Sequence, residues 1–500
     1  MRVTRRRSVV GLMAAAVMAT TVAAVLPGST AGASVVSLPP SSVPVPKVQG
    51  PITGPGKPSI ISTSFNLATV GYQENEYFIS GTATSYKMKG AVPANGRWKV
   101  TRRATARYKT RLLVYRPSDP RKFNGTVIVE WLNVSVGSDT APDWIGDHTQ
   151  LIRQGFAWVG VSAQALGVNG GTSVLQDGGS GLKGTNPARY GTLHHPGDAY
   201  SYDIFSQAAQ AVRHPRQVSP LGGLKPKALI ADGESQSAFF LTTYIDAIAP
   251  EAHVFNGYFV HSRWSGGTNL AGSLDLSLHE PFRTDLAVPV LAFETETDLI
   301  AGKYVADRQR DNTWFRDWEV AGTSHADDYT TFIGMADNGR SNVAGAIVTQ
   351  DNPLTIIGCT AKPNSGPQHW VLDAAISSLN RWVRTGTPPP HAPRIETTGG
   401  AHPAVKRDAL GNALGGIRTP ELDVPIATLT GTAAPGQSET CSLFGSTTPL
   451  APTTLASLYP TQADYVTKFD AATRRAVKAG FVLPADASQI EAAAAASTIG

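Results

Sequence analysis

A sharp strand-to-helix reversal is encoded around Ser235. An apolar run at 227–231 precedes the pentapeptide Gly-Glu-Ser-Gln-Ser at 233–237, and a segment of helical character follows directly. A serine on such a turn projects its hydroxyl away from the sheet, and small residues two places before and after it let the strand and the helix approach. Gly233 and Ser237 occupy these places, although glycine is usual at the second. The segment therefore predicts a serine nucleophile at the carboxyl end of a buried strand.

Two further strand-like segments lead to residues that would complete such a site. The apolar run 288–293 leads to Asp298, and the run 314–320 leads to His325. A histidine can take the serine proton, and a carboxylate can fix the imidazole tautomer and stabilise the imidazolium. Asp298 is the preferred acid, and Glu296 in the same loop is the alternative. Taken singly these residues are ordinary turn, cap and core residues, but their order after three strands favours a catalytic triad.

The order serine, acid, histidine is that of the alpha/beta hydrolases, in which each group follows a parallel strand. The chain resembles a group of secreted bacterial alpha/beta hydrolases over residues 105–390. The matching segments are 129–133, the GESQS turn, 294–298 and 322–325. The resemblance implies an α/β fold, with a mostly parallel central sheet flanked by helices, and acyl transfer at the serine.

Candidate donors for an oxyanion follow two of the strands. A tetrahedral intermediate needs preorganised hydrogen-bond donors, and losing one removes about a hundredfold of rate or more. The backbone N–H of Gln236 is the first candidate because it follows the serine. The second is the backbone at Asn133 and Val134, which replace the His-Gly-Gly of many esterases. The side chains of Glu234 and Gln236 are given no role.

Other polar and aromatic residues have two interpretations each. His194 and His195 are candidates for lining the pocket, with an ordinary structural role as the alternative. Asp327 and Asp328 are interpreted as a solvated helix start rather than a metal site, because acids favour the first turn of a helix. We predict neither a metal nor a cofactor. Three tryptophans are candidate pocket walls, with core packing as the default: Trp131, Trp144 and Trp264.

Periodicity predicts the main elements. Alternation over 77–116 predicts antiparallel strands before the parallel ones begin, and helices are predicted at 147–155 and 199–212. A final core helix at 371–383 should end at Gly386, which precedes three prolines. Two insertions are predicted near the site, the first a Gly-rich loop or lid. Near residue 391 the sequence pattern changes to short strands and turns, which marks a boundary. The predicted segments are an export signal at 1–33, an extended leader at 34–60, a catalytic domain at 61–390 with insertions at 166–196 and 262–283, and a C-terminal appendage at 391–500.

The N-terminal segment has the features of an export signal. Four arginines precede an apolar stretch at 9–26 and a small-residue cleavage site at 31–33, so the mature chain should begin near Ser34. Twin-arginine and ordinary secretion both stay open, and a retained membrane anchor is the alternative to cleavage. Without this segment the chain has 39 basic and 38 acidic residues, and its net charge falls from +5 to +1. A nearly neutral chain without a basic block is a poor candidate for binding nucleic acid.

Cys359 and Cys441 are the only cysteines. In an exported chain an even pair predicts one disulfide, with two separate buried thiols as the alternative. No histidine accompanies them, which argues against a zinc site.

The sequence thus predicts a secreted or cell-envelope serine hydrolase that cleaves small-molecule or lipid-like carboxylic esters through an acyl-enzyme on Ser235. An amidase, peptidase or acyltransferase would use the same residues. A different class of function, a catalytically silent binding protein on the same fold, is the remaining alternative. Acyl chain length and oligomeric state have no signature in the sequence.

Overall fold

The computed structural model describes Met1 and residues 35–173, 178–278, 281–340 and 342–497. Apart from Met1, the predicted export signal lies outside the described residues. Contacts separate a small unit, Met1–Ala33, from a large one, Ser34–Gly500, and the large unit carries the fold. None of the helices described combines the length and the apolar composition that crossing a bilayer requires.

Strands occupy the first half of the chain more densely than the second. In chain order they are β1 (Lys47–Gln49), β2 (Tyr72–Met88), β3 (Val100–Pro117), β4 (Thr126–Trp131), β5 (Ala157–Val161), β6 (Ala228–Glu234), β7 (Gly257–His261), β8 (Gly267–Thr268), β9 (Leu274–Asp275), β10 (Val290–Thr295), β11 (Phe315–Val320), β12 (Ala427–Thr430) and β13 (Ser446–Pro449).

Helices follow the parallel strands and dominate the C-terminal part. In chain order they are α1 (Pro142–Gln154), α2 (Ala165–Asn169), α3 (Gly181–Thr185), α4 (Pro187–Tyr190), α5 (Ser201–Arg213), α6 (Gln236–Thr243), α7 (Ala249–Ala252), α8 (Glu296–Ile300), α9 (Val343–Thr349), α10 (Gln368–Thr385), α11 (Pro420–Asp423), α12 (Pro452–Leu458), α13 (Gln462–Ala479) and α14 (Pro484–Ala496). A π-helical turn at Tyr244–Ile248 joins α6 to α7.

The main sheet has the strand order β1-β2-β3-β5-β4-β6-β7-β10-β11. Six strands are parallel to one another: β5, β4, β6, β7, β10 and β11. The strands β1, β2 and β3 pair antiparallel, and β3 pairs antiparallel with β5. Parallel neighbours need crossover connections, which helices such as α1 and α6 supply. The mostly parallel α/β sheet and the antiparallel strands before it are as the sequence predicts.

Both faces of the sheet are covered. Successive residues of β4 point to opposite faces: Val127 and Val129 pack in the core beneath α5 and α6, and Ile128 packs in the core beneath α1 and α10. Trp131 stacks on Phe240 of α6 with ring centroids 5.1 Å apart. Each buried indole removes about 200 Å² from water, on the order of 5 kcal/mol of transfer free energy. Such burial on both faces explains why the parallel strands are apolar runs.

Two predicted elements need correction. Helix α1 begins at Pro142, five residues before the predicted start, because its buried side includes Asp143 and Asp147 and so hides the apolar period. The segment 166–196, predicted as a loop without helical period, contains α2, α3 and α4 in its described part. Helices of four or five residues are too short to show a period. In contrast, α10 ends at Gly386 as predicted, with the glycine in the left-handed region.

The C-terminal elements pack against the sheet-bearing part of the large unit. Helices α9, α13 and α14 share an apolar core, and Arg153 of α1 contacts Asp486 of α14 at 2.6 Å. Cys359 and Cys441 form a disulfide, which confirms that prediction. The division into a catalytic domain and an appendage at residue 391 stays a prediction.

Candidate active site

Ser235 lies between the end of β6 and the start of α6. Its backbone has φ 56° and ψ −119°, a left-handed conformation that costs on the order of 1 to 3 kcal/mol for a residue with a Cβ. Its N–H donates to the carbonyl of His261 on β7 at 3.0 Å, which ties the turn to the sheet. A Cβ added at Gly233 would lie 3.3 Å from the backbone C and O of Ser237. The close approach explains the two small residues that flank the serine.

The segments that follow the carboxyl ends of β6, β10 and β11 bring Ser235, Asp298 and His325 together, and Asp298 lies in the first turn of α8. The Nε2 atom of His325 lies 2.8 Å from the Oγ of Ser235, and its Nδ1 atom lies 2.7 Å from an oxygen of Asp298. The backbone N–H of His325 also donates to the Oγ1 of Thr297 at 3.2 Å. The imidazole is thereby positioned to receive a proton from the serine while its other nitrogen faces a carboxylate.

Asp298 is fully buried and has several donors. Its Oδ2 accepts from the N–H and the hydroxyl of Thr295, at 2.9 and 2.6 Å, and its Oδ1 accepts from the indole N–H of Trp264 at 3.1 Å. Burial by itself raises the pKa of Asp298, but His325 and these Thr295 hydrogen bonds hold it below its usual value. Burial likewise opposes protonation of His325, whereas Asp298 and then Glu234 raise the pKa of the imidazole to about 9.

Glu296, the alternative acid, is turned toward the C-terminal region. One of its oxygens accepts from the Gly322 N–H at 2.7 Å. The other faces the Arg407 guanidinium at 2.9 Å and the Gly431 N–H at 3.3 Å. The structure therefore brings Asp298, and not Glu296, into contact with His325.

The oxyanion candidates differ in their availability. The Gln236 N–H lies in the first turn of α6, next to Ser235. The Asn133 N–H is already donated to the Thr140 carbonyl at 3.0 Å, which corrects its assignment as a donor to substrate. For Val134, no hydrogen bond from the backbone N–H is found within the described part of the chain, so this residue is the remaining second candidate.

Glu234, which the sequence left without a role, contacts the same imidazole. One carboxylate oxygen lies 3.3 Å from the Nε2 of His325, and the other accepts from the side-chain amide of Asn133 at 3.2 Å. Burial raises the pKa of Glu234 to about 7, against the lowering influence of His325 and His261. No local signal in the sequence marks this contact, because β6 also carries Asp232 and His325 follows a different strand.

A second buried His–Asp pair lies next to the Ser235 turn, whose N–H donates to the His261 carbonyl. The Nδ1 of His261 is 2.7 Å from Asp143, whose early position in α1 the sequence prediction missed. Burial lowers the pKa of His261, but the Asp143 hydrogen bond together with the charges of Asp143, Glu234 and Asp298 leaves the pKa raised. Of the three candidate wall tryptophans, Trp264 reaches the site, with its ring 5.8 Å from that of His325. Trp131 and Trp144 are core residues.

The remaining candidates lie elsewhere or have another role. His195 is buried and contacts the Ala163 carbonyl at 2.8 Å, and His194 is exposed. Asp327 accepts from the Thr330 N–H at 2.9 Å, so it does begin a helical turn, but it and Asp328 are buried rather than solvated. No group of histidine, cysteine and acidic residues suited to hold a metal occurs in the part of the chain that the structure describes.

Comparison with protein families matches residues 44–492 to the alpha/beta hydrolase domain. The chain belongs to this alpha/beta hydrolase family. Among solved structures it is similar to a putative dienelactone hydrolase from Klebsiella pneumoniae subsp. pneumoniae MGH 78578, at 14% identity over 48% of this chain and 85% of that one, with a TM-score of 0.25. The alpha/beta hydrolase is also similar to a glucuronoyl esterase from Solibacter usitatus, at 11% identity over 58% of this chain and 85% of that one, with a TM-score of 0.28.

A thermostable esterase from Pseudomonas putida ECU1011 is similar at 12% identity over 55% of this chain and 80% of that one, with a TM-score of 0.28. Among curated proteins, none matches. Structural likenesses at this level carry no argument about the substrate.

Proposed function

We propose that this alpha/beta hydrolase is a serine hydrolase that cleaves carboxylic esters through an acyl-enzyme on Ser235. The observation that carries the proposal is the position of the His325 imidazole, 2.8 Å from the serine Oγ and 2.7 Å from Asp298. A serine hydroxyl becomes an effective nucleophile only when a base takes its proton as it attacks. The half-buried position of Ser235 leaves part of its surface open to a substrate.

The reaction follows from this geometry in two halves. Nε2 of His325 takes the Ser235 proton while Oγ bonds to the ester carbonyl carbon and the C=O electron pair moves to oxygen. The negative oxygen accepts from the N–H groups of Gln236 and Val134. Collapse of the intermediate expels the alcohol, which takes the proton from Nε2. Water then attacks the acyl carbon, gives a proton to Nε2, and releases the carboxylic acid as Ser235 recovers its proton.

An assay with p-nitrophenyl acetate and p-nitrophenyl butyrate tests the proposal. The wild-type protein should release p-nitrophenolate, and Ser235→Ala should lose at least about a thousandfold of kcat, since the acyl-enzyme can no longer form. Equal turnover by the two proteins would exclude the acyl-enzyme on Ser235.

The same assay separates the alternatives. Adding amine or alcohol acceptors and analysing the products distinguishes hydrolysis from acyl transfer, and anilide substrates report amidase or peptidase activity. A folded protein that releases nothing from any of these substrates, and does not react with a fluorophosphonate, would be a binding protein on the same fold.

We also propose that the enzyme is exported. The arginine-rich start, the apolar stretch at 9–26 and the small residues at 31–33 support this, as does the disulfide between Cys359 and Cys441. Mass spectrometry of protein from the medium or cell envelope should find a chain that begins near Ser34. An uncleaved chain retained in the membrane would contradict the proposal.

A further inference from the structure

The catalytic imidazole has acidic neighbours on both of its nitrogens. Asp298 contacts Nδ1. On the other side, Nε2 lies 3.3 Å from a carboxylate oxygen of Glu234 and 2.8 Å from the hydroxyl of Ser235. Glu234 is only 8% exposed, so solvent screens its charge weakly. A buried carboxylate so close to an imidazole favours the imidazolium form.

Hydrogen bonds fix the position of the Glu234 carboxylate. Its second oxygen accepts from the Asn133 side-chain amide at 3.2 Å, and the same amide donates to the Glu234 backbone carbonyl, also at 3.2 Å. Glu234 also ends β6 immediately before the constrained Ser235 turn. The carboxylate is therefore held between the loop that carries Val134 and the base, rather than left to rotate.

We propose that Glu234 is a positioning residue whose carboxylate stabilises the His325 imidazolium formed when Ser235 gives up its proton. This inference rests on the proposed function. In that step the proton moves from Oγ to Nε2, and the new Nε2–H lies within reach of the Glu234 oxygen. Asp298 stabilises the same cation from the other side. Glu234 itself gains and loses no proton in the step, and it acts through the histidine.

The charged groups around Glu234 and His325 determine in which direction the pKa of His325 should change. The titratable groups that act on Glu234 or His325 are Asp143, His261 and Asp298. All three stay in place when Glu234 is changed. Removing only the Glu234 charge should therefore lower the pKa of His325, because one of the two anions that favour its protonation is lost.

Glu234→Gln tests this expectation with little change of shape. The glutamine amide keeps an oxygen that can accept from Asn133 but has no charge. In protein labelled with ¹³C-histidine, the His325 signal, assigned by its absence in His325→Gln, should titrate about one pH unit lower in Glu234→Gln than in the wild type, a tenfold weaker proton affinity. An unchanged titration of His325 would overturn the proposal. The NMR reading does not depend on ester hydrolysis, so failure of the proposed function is seen separately.

Two further variants complete the test. Asp327→Asn is the matched control, because Asp327 is a buried carboxylate that is near His325 in sequence but does not contact its imidazole. It should shift the His325 titration by less than half of the shift in Glu234→Gln. An equal shift would overturn a specific role for Glu234. Glu234→Asp keeps the charge at a greater distance and should give a smaller lowering. If Glu234→Gln does not fold, no lowering in Glu234→Asp overturns the proposal.

The kinetic counterpart uses the ester assay. The acid limb of kcat/KM should move to lower pH in Glu234→Gln by the same amount as the His325 titration, and the plateau rate should fall about tenfold because the base is weaker. A merely structural role would lower the rate without moving the limb. A shifted titration with an unmoved limb in an active enzyme would overturn the part of Glu234 in the reaction.

Discussion

At the scale of single residues, two carboxylates two positions apart have different surroundings. Asp298 faces His325 and accepts from Thr295 and Trp264, whereas Glu296 faces Arg407 and backbone N–H groups. Both are fully buried, so burial does not distinguish them. Their hydrogen-bond partners distinguish them, because an acid that orients the His325 imidazole has to contact it.

This difference predicts opposite outcomes for two similar substitutions. Asp298→Asn should lower kcat by about a thousandfold or more, since the imidazole loses the carboxylate that sets its tautomer. Glu296→Gln should keep kcat within about threefold and should instead lower the free energy of unfolding, because Arg407 loses a charged partner. Ester hydrolysis and thermal unfolding of both variants check this. An equal loss of kcat in the two would contradict the assignment of Asp298.

The proposed mechanism predicts a pH dependence for the free enzyme. With neutral His325 as the proposed base and a pKa of about 9, kcat/KM should rise with pH until about pH 9. Asp298 stays ionised throughout this range, since its pKa lies below the usual value. A pH profile of ester hydrolysis measures the limb. A plateau already complete at pH 7 would contradict the electrostatic account of the site.

At the scale of elements, the contact of β6 with α6 depends on the absence of a side chain at Gly233. A Cβ there would lie 3.3 Å from the Ser237 backbone, closer than most packed Cβ contacts, so the start of the helix would have to give way by a few tenths of an ångström. The shift would displace Ser235, which lies between the two elements.

Gly233→Ala should therefore lower the free energy of unfolding by about 1 to 2 kcal/mol and lower kcat about tenfold or more. Gly223→Ala is the matched control, since a Cβ at Gly223 meets no atom within 4 Å. Denaturant unfolding and the ester assay check both variants. Gly233→Ala behaving like the control would show that the close approach does not position the serine.

The elements also show what sequence can and cannot predict. The strand ends that carry Ser235, Asp298 and His325 were predictable because buried parallel strands are continuous apolar runs and the chain order of the groups is distinctive. The start of α1 was not, because Asp143 packs inward against His261. The contact of Glu234 with His325 was not predictable either, since it joins the end of β6 to the segment after β11, which no local pattern relates.

At the scale of the whole molecule, the disulfide joins distant parts of the large unit. Cys359 precedes α10, Cys441 follows β12, and they are 82 residues apart. Arg407 adds a second link between the C-terminal region and α8, the helix of Asp298, through Glu296. The C-terminal region thus supports α8 although it contributes no member of the proposed triad.

Replacing both cysteines by serine should lower the free energy of unfolding by about 4 kcal/mol, because a closed loop of this length restricts the unfolded chain strongly. The folded variant should keep its ester hydrolysis at low temperature. Denaturant unfolding of the oxidised wild type, with the reduced wild type as control, measures the difference. A variant as stable as the oxidised wild type would show that the link contributes nothing to stability.

The measurement that tests the central claim most directly is intact-protein and peptide mass spectrometry after reaction with a fluorophosphonate. The account predicts one phosphonyl group per chain, on the peptide that contains Ser235, and no reaction in Ser235→Ala or in heat-unfolded protein. Labelling that persists in folded Ser235→Ala, or a folded wild-type protein that does not react, would contradict it.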